Sequence, residues 1–284
     1  MSELHTLLTG LVVGESPRWH EGRLWFSNWG AEEIIAVDPD GHREVIAHGP
    51  RRAGYSIDWL PDGRLLVTGE QLLRREADGS FVTHADLSGL SPVGWNEIVV
   101  DGRGHIYTNS INFGWGQEEF KPGLIALVTP DGAVRQVADD LAFPNGMVVT
   151  PDNTTLIVAE SFTGKLLAFD IAADGRLGNR RVWADLGGPG KGDGICLDAD
   201  GAIWCSVVHE RRPACWRVRE GGQVLERIEL DKACFACMLG GEDGRTLFLL
   251  VAEWWGVERM GELFRSRTGQ VLTARAPAPH AGWP

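Results

Sequence analysis

Residues 192–205 read Gly192-Asp193-Gly194-Ile195-Cys196-Leu197-Asp198-Ala199-Asp200-Gly201-Ala202-Ile203-Trp204-Cys205. A short apolar run ends at an Asp-Gly pair, and a second apolar run follows at once. Asp-Gly supplies the positive φ that a tight antiparallel hairpin needs, so the stretch reads as strand, turn, strand. The pattern recurs along the chain. Turns of this kind lie at Glu21-Gly22, Asp62-Gly63, Arg103-Gly104, Asp152-Asn153, Asp200-Gly201 and Asp243-Gly244. Each precedes a strand-like run, among them Leu24-Trp25-Phe26, Ile106-Tyr107-Thr108 and Leu247-Phe248-Leu249. Their second residues lie between 41 (63−22) and 49 (153−104) positions apart.

A second set of turns interleaves with the first, at Asp40-Gly41, Asp78-Gly79, Asp131-Gly132, Asp174-Gly175, Gly221-Gly222 and Thr268-Gly269. Two turns per unit imply four short strands per unit, and there are six units. A period of about 40–50 residues of antiparallel strands is the mark of a propeller. No stretch carries a long amphipathic helical pattern, which removes α/β alternatives. The sequence predicts an all-β fold, a six-bladed β-propeller of four-stranded antiparallel blades, as a single domain over residues 1–284. Residues near Thr6–Val12 are expected to pair with the last blade and close the ring.

In each unit the strand before the first turn is expected to line the channel. Counting back from the turn, Glu15 lies 7 before Gly22, while Asn96, Asn145 and Asp193 lie 8 before Gly104, Asn153 and Gly201. The other two units place Tyr55 or Ser56, and Ala236 or Cys237, there. Equivalent positions of a radial repeat sit at similar height around the axis, so the four oxygen-bearing side chains should converge. Two carboxylates and two amides form a hard oxygen set suited to one divalent ion, Ca²⁺ above Mn²⁺ and Mg²⁺, with Zn²⁺ least suited. Gly14, Gly146 and Gly194 flank these residues and allow close backbone packing.

The 284 residues are 43% hydrophobic and 23% charged, ordinary values for a chain with a sizeable core. A net charge of −12 argues against a nucleic-acid partner, since Arg51-Arg52, Arg74-Arg75 and Arg211-Arg212 are isolated pairs. No apolar run approaches a membrane span, and the start lacks the charged and apolar regions of a signal peptide. The five cysteines, Cys196, Cys205, Cys215, Cys234 and Cys237, are odd in number and form no disulfide framework, so a cytoplasmic location is expected. The lone Cys234-x-x-Cys237 is expected to be two buried thiols on a strand.

Gly14-Glu15-Ser16-Pro17-Arg18-Trp19, Phe143-Pro144-Asn145-Gly146 and Gly192-Asp193-Gly194 resemble the SMP-30/gluconolactonase/luciferin-regenerating family over nearly the whole chain. The resemblance implies a six-bladed propeller with one divalent ion and lactone hydrolysis as the activity. It assigns Glu15, Asn145 and Asp193 to the metal, Asn96 to metal or substrate, and Asp193 to the general base as well. The expected partner is a small-molecule lactone or ester. Two departures bear on the substrate. Family members typically carry Arg-x-Asn-Asp-Gly where this chain reads Gly94-Trp95-Asn96-Glu97-Ile98, and Gly-Thr-Met where it reads Thr108-Asn109-Ser110. The positive side chain that would bind sugar hydroxyls is missing.

Twelve tryptophans stand against two tyrosines. Trp25, Trp183 and Trp204 lie within strand runs and are expected in the core. Trp19, Trp95, Trp115, Trp254 and Trp255 fall near the four-residue register or in adjoining loops. The segment from Asn109 to Gly116 reads as a lid, with Asn109, Asn112 and Trp115, together with Trp19, Trp95 and Asn96, as substrate-binding candidates. His209 is a surface histidine or an auxiliary proton carrier. No nucleophile elbow is visible, and Ser16 has no base beside it. The catalytic residues expected are Asp193 and Asn96, in metal-assisted opening of a cyclic ester. The alternatives are a phosphotriesterase or acyclic esterase on the same site, or a non-catalytic ligand-binding propeller.

Overall fold

The computed structural model describes residues 3–50, 54–209 and 212–284. Arg51, Arg52, Arg211 and the side chain of His209 lie outside the described residues. Six four-stranded antiparallel sheets form the blades of a six-bladed propeller. In blade 1 the chain passes from the inside outward through Val13–His20, Arg23–Trp29, Glu33–Val37 and Arg43–His48. The inner strands of blades 2 to 6 are Ile57–Trp59, Ile98–Val100, Pro144–Val149, Lys191–Leu197 and Ala233–Gly240. Each packs against its neighbours around a ring.

Blade 6 closes that ring. Its middle strands are Thr246–Ala252 and Gly269–Arg275, and its outer strand is His5–Leu11 from the other end of the chain. Pairing runs from His5 with Thr273 to Leu11 with Gly269, which is the closure expected for Thr6–Val12. Thr268-Gly269 is therefore not a hairpin turn of the second set. Gly269 begins a strand, and the segment 253–268 before it belongs to the opposite end of the blade. That segment carries the short helical turns Val257–Arg259 and Met260–Leu263. Among the described residues no helix is long and apolar enough to cross a membrane.

The first set of turns is as expected. Gly22, Gly63, Gly104, Asn153, Gly201 and Gly244 all take left-handed φ, between 57° and 83°, which is why glycine and asparagine stand there. Between blades the core is close-packed: Val148 and Ile157 of blade 4 meet Ile203, Cys205 and Trp216 of blade 5. Trp25, Trp183 and Trp204 are all buried. Burial of each such large side chain stabilises by about 1.5–3 kcal/mol. The five cysteines are free and buried, with Cys234 and Cys237 on one inner strand.

Candidate active site

Three inner strands are bulged where oxygen ligands were expected; in blade 3, Asn96 precedes an unbulged strand. In blade 1, Glu15 pairs with Ser27 and Arg18 with Trp25, so Ser16-Pro17 oppose one residue. In blade 4, Pro144 pairs with Glu160 and Met147 with Val158, so Asn145-Gly146 oppose one residue. In blade 5, Lys191 pairs with Val207 and Ile195 with Cys205, leaving Gly192, Asp193 and Gly194 opposite Ser206. A bulge breaks the period-two alternation and re-aims a side chain. Here it sends Glu15, Asn145 and Asp193 to one cavity. The glycines permit the crowding: a Cβ on Gly146 would lie 2.6 Å from the Asp193 carbonyl oxygen, and one on Gly194 2.6 Å from Cα of Ala236.

Glu15, Asn96, Asn145 and Asp193 all line a cavity of about 660 Å³ at the mouth of the channel. That volume suits a small organic ligand. Behind them, hydrogen bonds hold the scaffold. The Asn109 amide donates to the Asn145 carbonyl (2.7 Å), and its side-chain oxygen accepts the Glu97 N–H (3.3 Å). Asn109 thereby ties the segment that carries Asn96, just ahead of the blade-3 inner strand, to the strand carrying Asn145 across a blade boundary. Ser161 accepts from the Asn145 amide (3.3 Å) and donates to the Gly192 carbonyl (2.9 Å), bracing the segments of blades 4 and 5 that carry Asn145 and Asp193.

The charge balance is uneven. Glu15 and Asp193 have no ion-pair partner among the described residues. The buried Arg18 is engaged instead with Asp58 and Glu97, at 3.9 Å each, and Ser56 donates to Glu97 at 2.9 Å. Burial, then the charges of Asp193 and Glu97, hold the Glu15 carboxyl well above its usual range. Burial and the Glu97 charge push Asp193 up to about 8, opposed by a hydrogen bond from Asn145. Burial likewise raises Glu97 and Asp58, with the Arg18 charge opposing in both. Four carboxyl groups against one guanidinium can all ionise together only with further positive charge, which a dication would supply. The donor set is all hard oxygen, so the residues present fit such an ion. A separate trio, Asp38, Asp40 and His42, also gathers oxygens and a ring nitrogen. It is a partly exposed turn in which Asp38 accepts the N–H groups of Asp40 and His42 and pairs with the His42 ring, and none of the three lines the channel-mouth cavity.

The description of the SMP-30/Gluconolactonase/LRE-like region matches residues 13–253. The chain belongs to this family. Among its relatives, a 6-deoxy-6-sulfogluconolactonase of Pseudomonas putida is 26% identical over 84% of this chain and 82% of its own length. A diisopropyl-fluorophosphatase of Loligo vulgaris is 30% identical over 60% of this chain and 61% of its own. Among solved structures, a calcium-binding protein, regucalcin, of Agrobacterium tumefaciens superposes with a TM-score of 0.78 at 21% identity, covering 99% of this chain and 97% of that one.

Within the family frame, four of the expected substrate contacts belong elsewhere. Trp95 is fully buried in the core between blades 2 and 3. Trp19 stacks on Phe248 near the turn end of blade 1, away from the cavity, because the bulge at Ser16-Pro17 reverses which face it presents. Asn109 is fully buried within its strand and its amide is committed to backbone. Asn112, at φ 63°, spends its amide on the Pro122 carbonyl. Trp115 does line the cavity, and the lid segment is shorter than expected, since Asn109 and Ser110 are strand. Sequence reasoning missed Glu97, Arg18 and Ser161. An acid directly after Asn96 was the one visible signal. It also missed most of the aromatic wall, Phe143, Phe162 and Phe235, which comes from three places in the chain.

Proposed function

We propose that the protein is a divalent-metal-dependent hydrolase that opens a lactone. The observation that supports this most is that two carboxyl groups and two amides converge on the floor of one cavity, with no counter-charge to the carboxyls among the described residues. Glu15, Asn145 and Asp193 would hold the ion, with Asn96 completing the set or bonding to substrate. A bound divalent ion supplies Lewis acidity toward a carbonyl oxygen. Family membership and a lactonase relative point the same way, and the calcium-binding structural neighbour supports a hard dication.

The chain's own residues account for the proton. Asp193 sits at the cavity floor with an affinity for a proton near neutral pH, and a neighbouring positive charge would draw it toward the carboxylate form. In that form it orients and deprotonates a water facing the ring carbonyl. Ser161 and Asn109 hold Asn145 through their hydrogen bonds, and the Asn109 carbonyl accepts the Asn96 N–H at 2.8 Å. A phosphotriester reading is favoured by the diisopropyl-fluorophosphatase relative. The test is a screen of lactones, aryl esters and organophosphates with and without chelator. Lactone turnover that chelation abolishes and Ca²⁺ or Mn²⁺ restores is the expected result; turnover of organophosphates alone would replace the reading, and no chelator effect would remove the metal from it.

A further inference from the structure

Above the floor the cavity changes character. Five aromatic rings form a continuous wall. Phe162 stacks on Phe143 at 4.6 Å, Phe143 meets Trp115 edge-on at 5.1 Å, Trp115 stacks on Trp254 at 5.9 Å, and Trp254 meets Phe235 at 6.1 Å. These residues come from blades 3, 4 and 6. Trp115 lies on the loop of blade 3 and Trp254 on the 253–268 segment of blade 6, which stand opposite one another in a ring of six. Their stacking carries a roof across the mouth, and the fit is close: a Cβ on Gly116 would lie 2.7 Å from Val257.

Besides the exposed Gln117, polar partners for a ligand are few on this wall. Gly94 and Gly54 offer no side chain. Lys191 lines the cavity, yet its ammonium donates to the Leu186 and Gly187 carbonyls at 2.7 and 2.8 Å and lies over the Trp216 ring at 5.4 Å. A polyhydroxylated ring entering here would lose water hydrogen bonds that the wall does not replace. An apolar group would lose nothing and would cover rings that are open to solvent, since Trp115 is 38% and Phe162 40% exposed.

We infer that this wall is a binding subsite for an alkyl or aryl substituent on the substrate ring, with Trp115, Trp254, Phe143 and Phe162 determining specificity. The inference rests on the lactone-hydrolase reading for the reaction it serves. In that reaction water adds to the ring carbonyl carbon, the ring C–O bond breaks, and the ring oxygen takes a proton to leave a hydroxy acid bearing the substituent. The substrate class is a lactone with an apolar side chain, in preference to a sugar lactone.

The experiment uses the full chain loaded with Ca²⁺ or Mn²⁺. One arm measures kcat/KM for δ-lactones with side chains from none to hexyl, and for gluconolactone. The other measures binding of the corresponding lactams, which resist opening. The expected gain is about fourfold per added methylene over the first few carbons in both arms. Trp115→Ala, at a partly exposed position, should flatten the dependence, while Trp254→Phe should keep most of it. Chain-length dependence that is absent from both arms, or a preference for gluconolactone, overturns the subsite even where lactones are turned over. Lactam binding that tightens with chain length while no lactone is opened keeps the subsite and removes the hydrolase reading instead.

Discussion

Asp193 and Asp198 stand at opposite ends of the inner strand of blade 5, and their surroundings differ in kind. Asp198 is 1% exposed and fully matched. Its carboxylate takes Nε of Arg217 at 2.7 Å and the N–H groups of Asp200 and Ala202 at 3.0 Å. Arg217 also reaches Asp200 at 2.7 Å and Glu226 at 3.5 Å. The C-terminal tail then covers this end, with Ala281 donating to the Leu197 carbonyl and Trp283 bridging to Val149. Asp193 faces Glu97 and Glu15 with no ion-pair partner among the described residues. A fold that can match a buried aspartate at one end of a strand leaves one unmatched five residues away. Burying an uncompensated carboxyl is costly, and on the proposed reading this is the end of the molecule where a bound dication would supply the balance.

The largest expected effect comes from removing the unmatched charge. Asp193→Asn keeps a ligand oxygen and deletes the base. At saturating metal its kcat should fall by about 10²–10⁴-fold, beyond any loss of metal affinity. Metal titrations paired with kcat measurements decide this. A variant that regains the parent kcat once metal saturates would leave Asp193 as a ligand only, and the contrast with Asp198 would become one of metal holding alone.

A change at the matched end should act on the fold instead. Arg217→Met leaves Asp198 buried without its partner, and should lower the unfolding free energy by about 3–5 kcal/mol in urea melts. Metal affinity measured by calorimetry should stay at the parent value wherever the variant is folded. A marked loss of metal affinity in folded Arg217→Met would mean that the two ends are coupled and the comparison fails.

The third effect is in pH. Asp193 carries a proton in the folded chain up to about 8, against an ordinary value of 3.8 when unfolded. The folded state therefore binds the extra proton between these values, and metal-free stability should fall as pH rises through that window. Thermal melts in chelator from pH 4 to 8 should show a declining Tm. Added Ca²⁺ should flatten the decline, and Asp193→Asn should remove much of it. A Tm that rises over this range without metal would mean that the carboxylates are compensated after all.

Local chemistry made the architecture legible in the sequence. Each first-set turn needs left-handed backbone at one residue, and glycine or asparagine at a spacing of 41 to 49 residues shows where the strands reverse. The same count brought Glu15, Asn96, Asn145 and Asp193 to one height, because a repeat carries equal offsets to equal positions. The contacts around them were hidden for two physical reasons. A bulge shifts alternation by one in blade 1, so Trp19 points into packing although its distance from the register placed it near the site. Trp95, just ahead of an unbulged strand, fills the core between blades 2 and 3 instead. And a ring joins residues that no local pattern relates: Trp115 of blade 3 meets Trp254 of blade 6, and Glu97 finds Arg18, only because the six blades close. The sequence by itself determined the propeller and the height of its oxygen ring. The tertiary structure alone decided which side chains face the cavity and which charges go unmatched, since facing depends on bulged register and charge balance on neighbours distant in the chain.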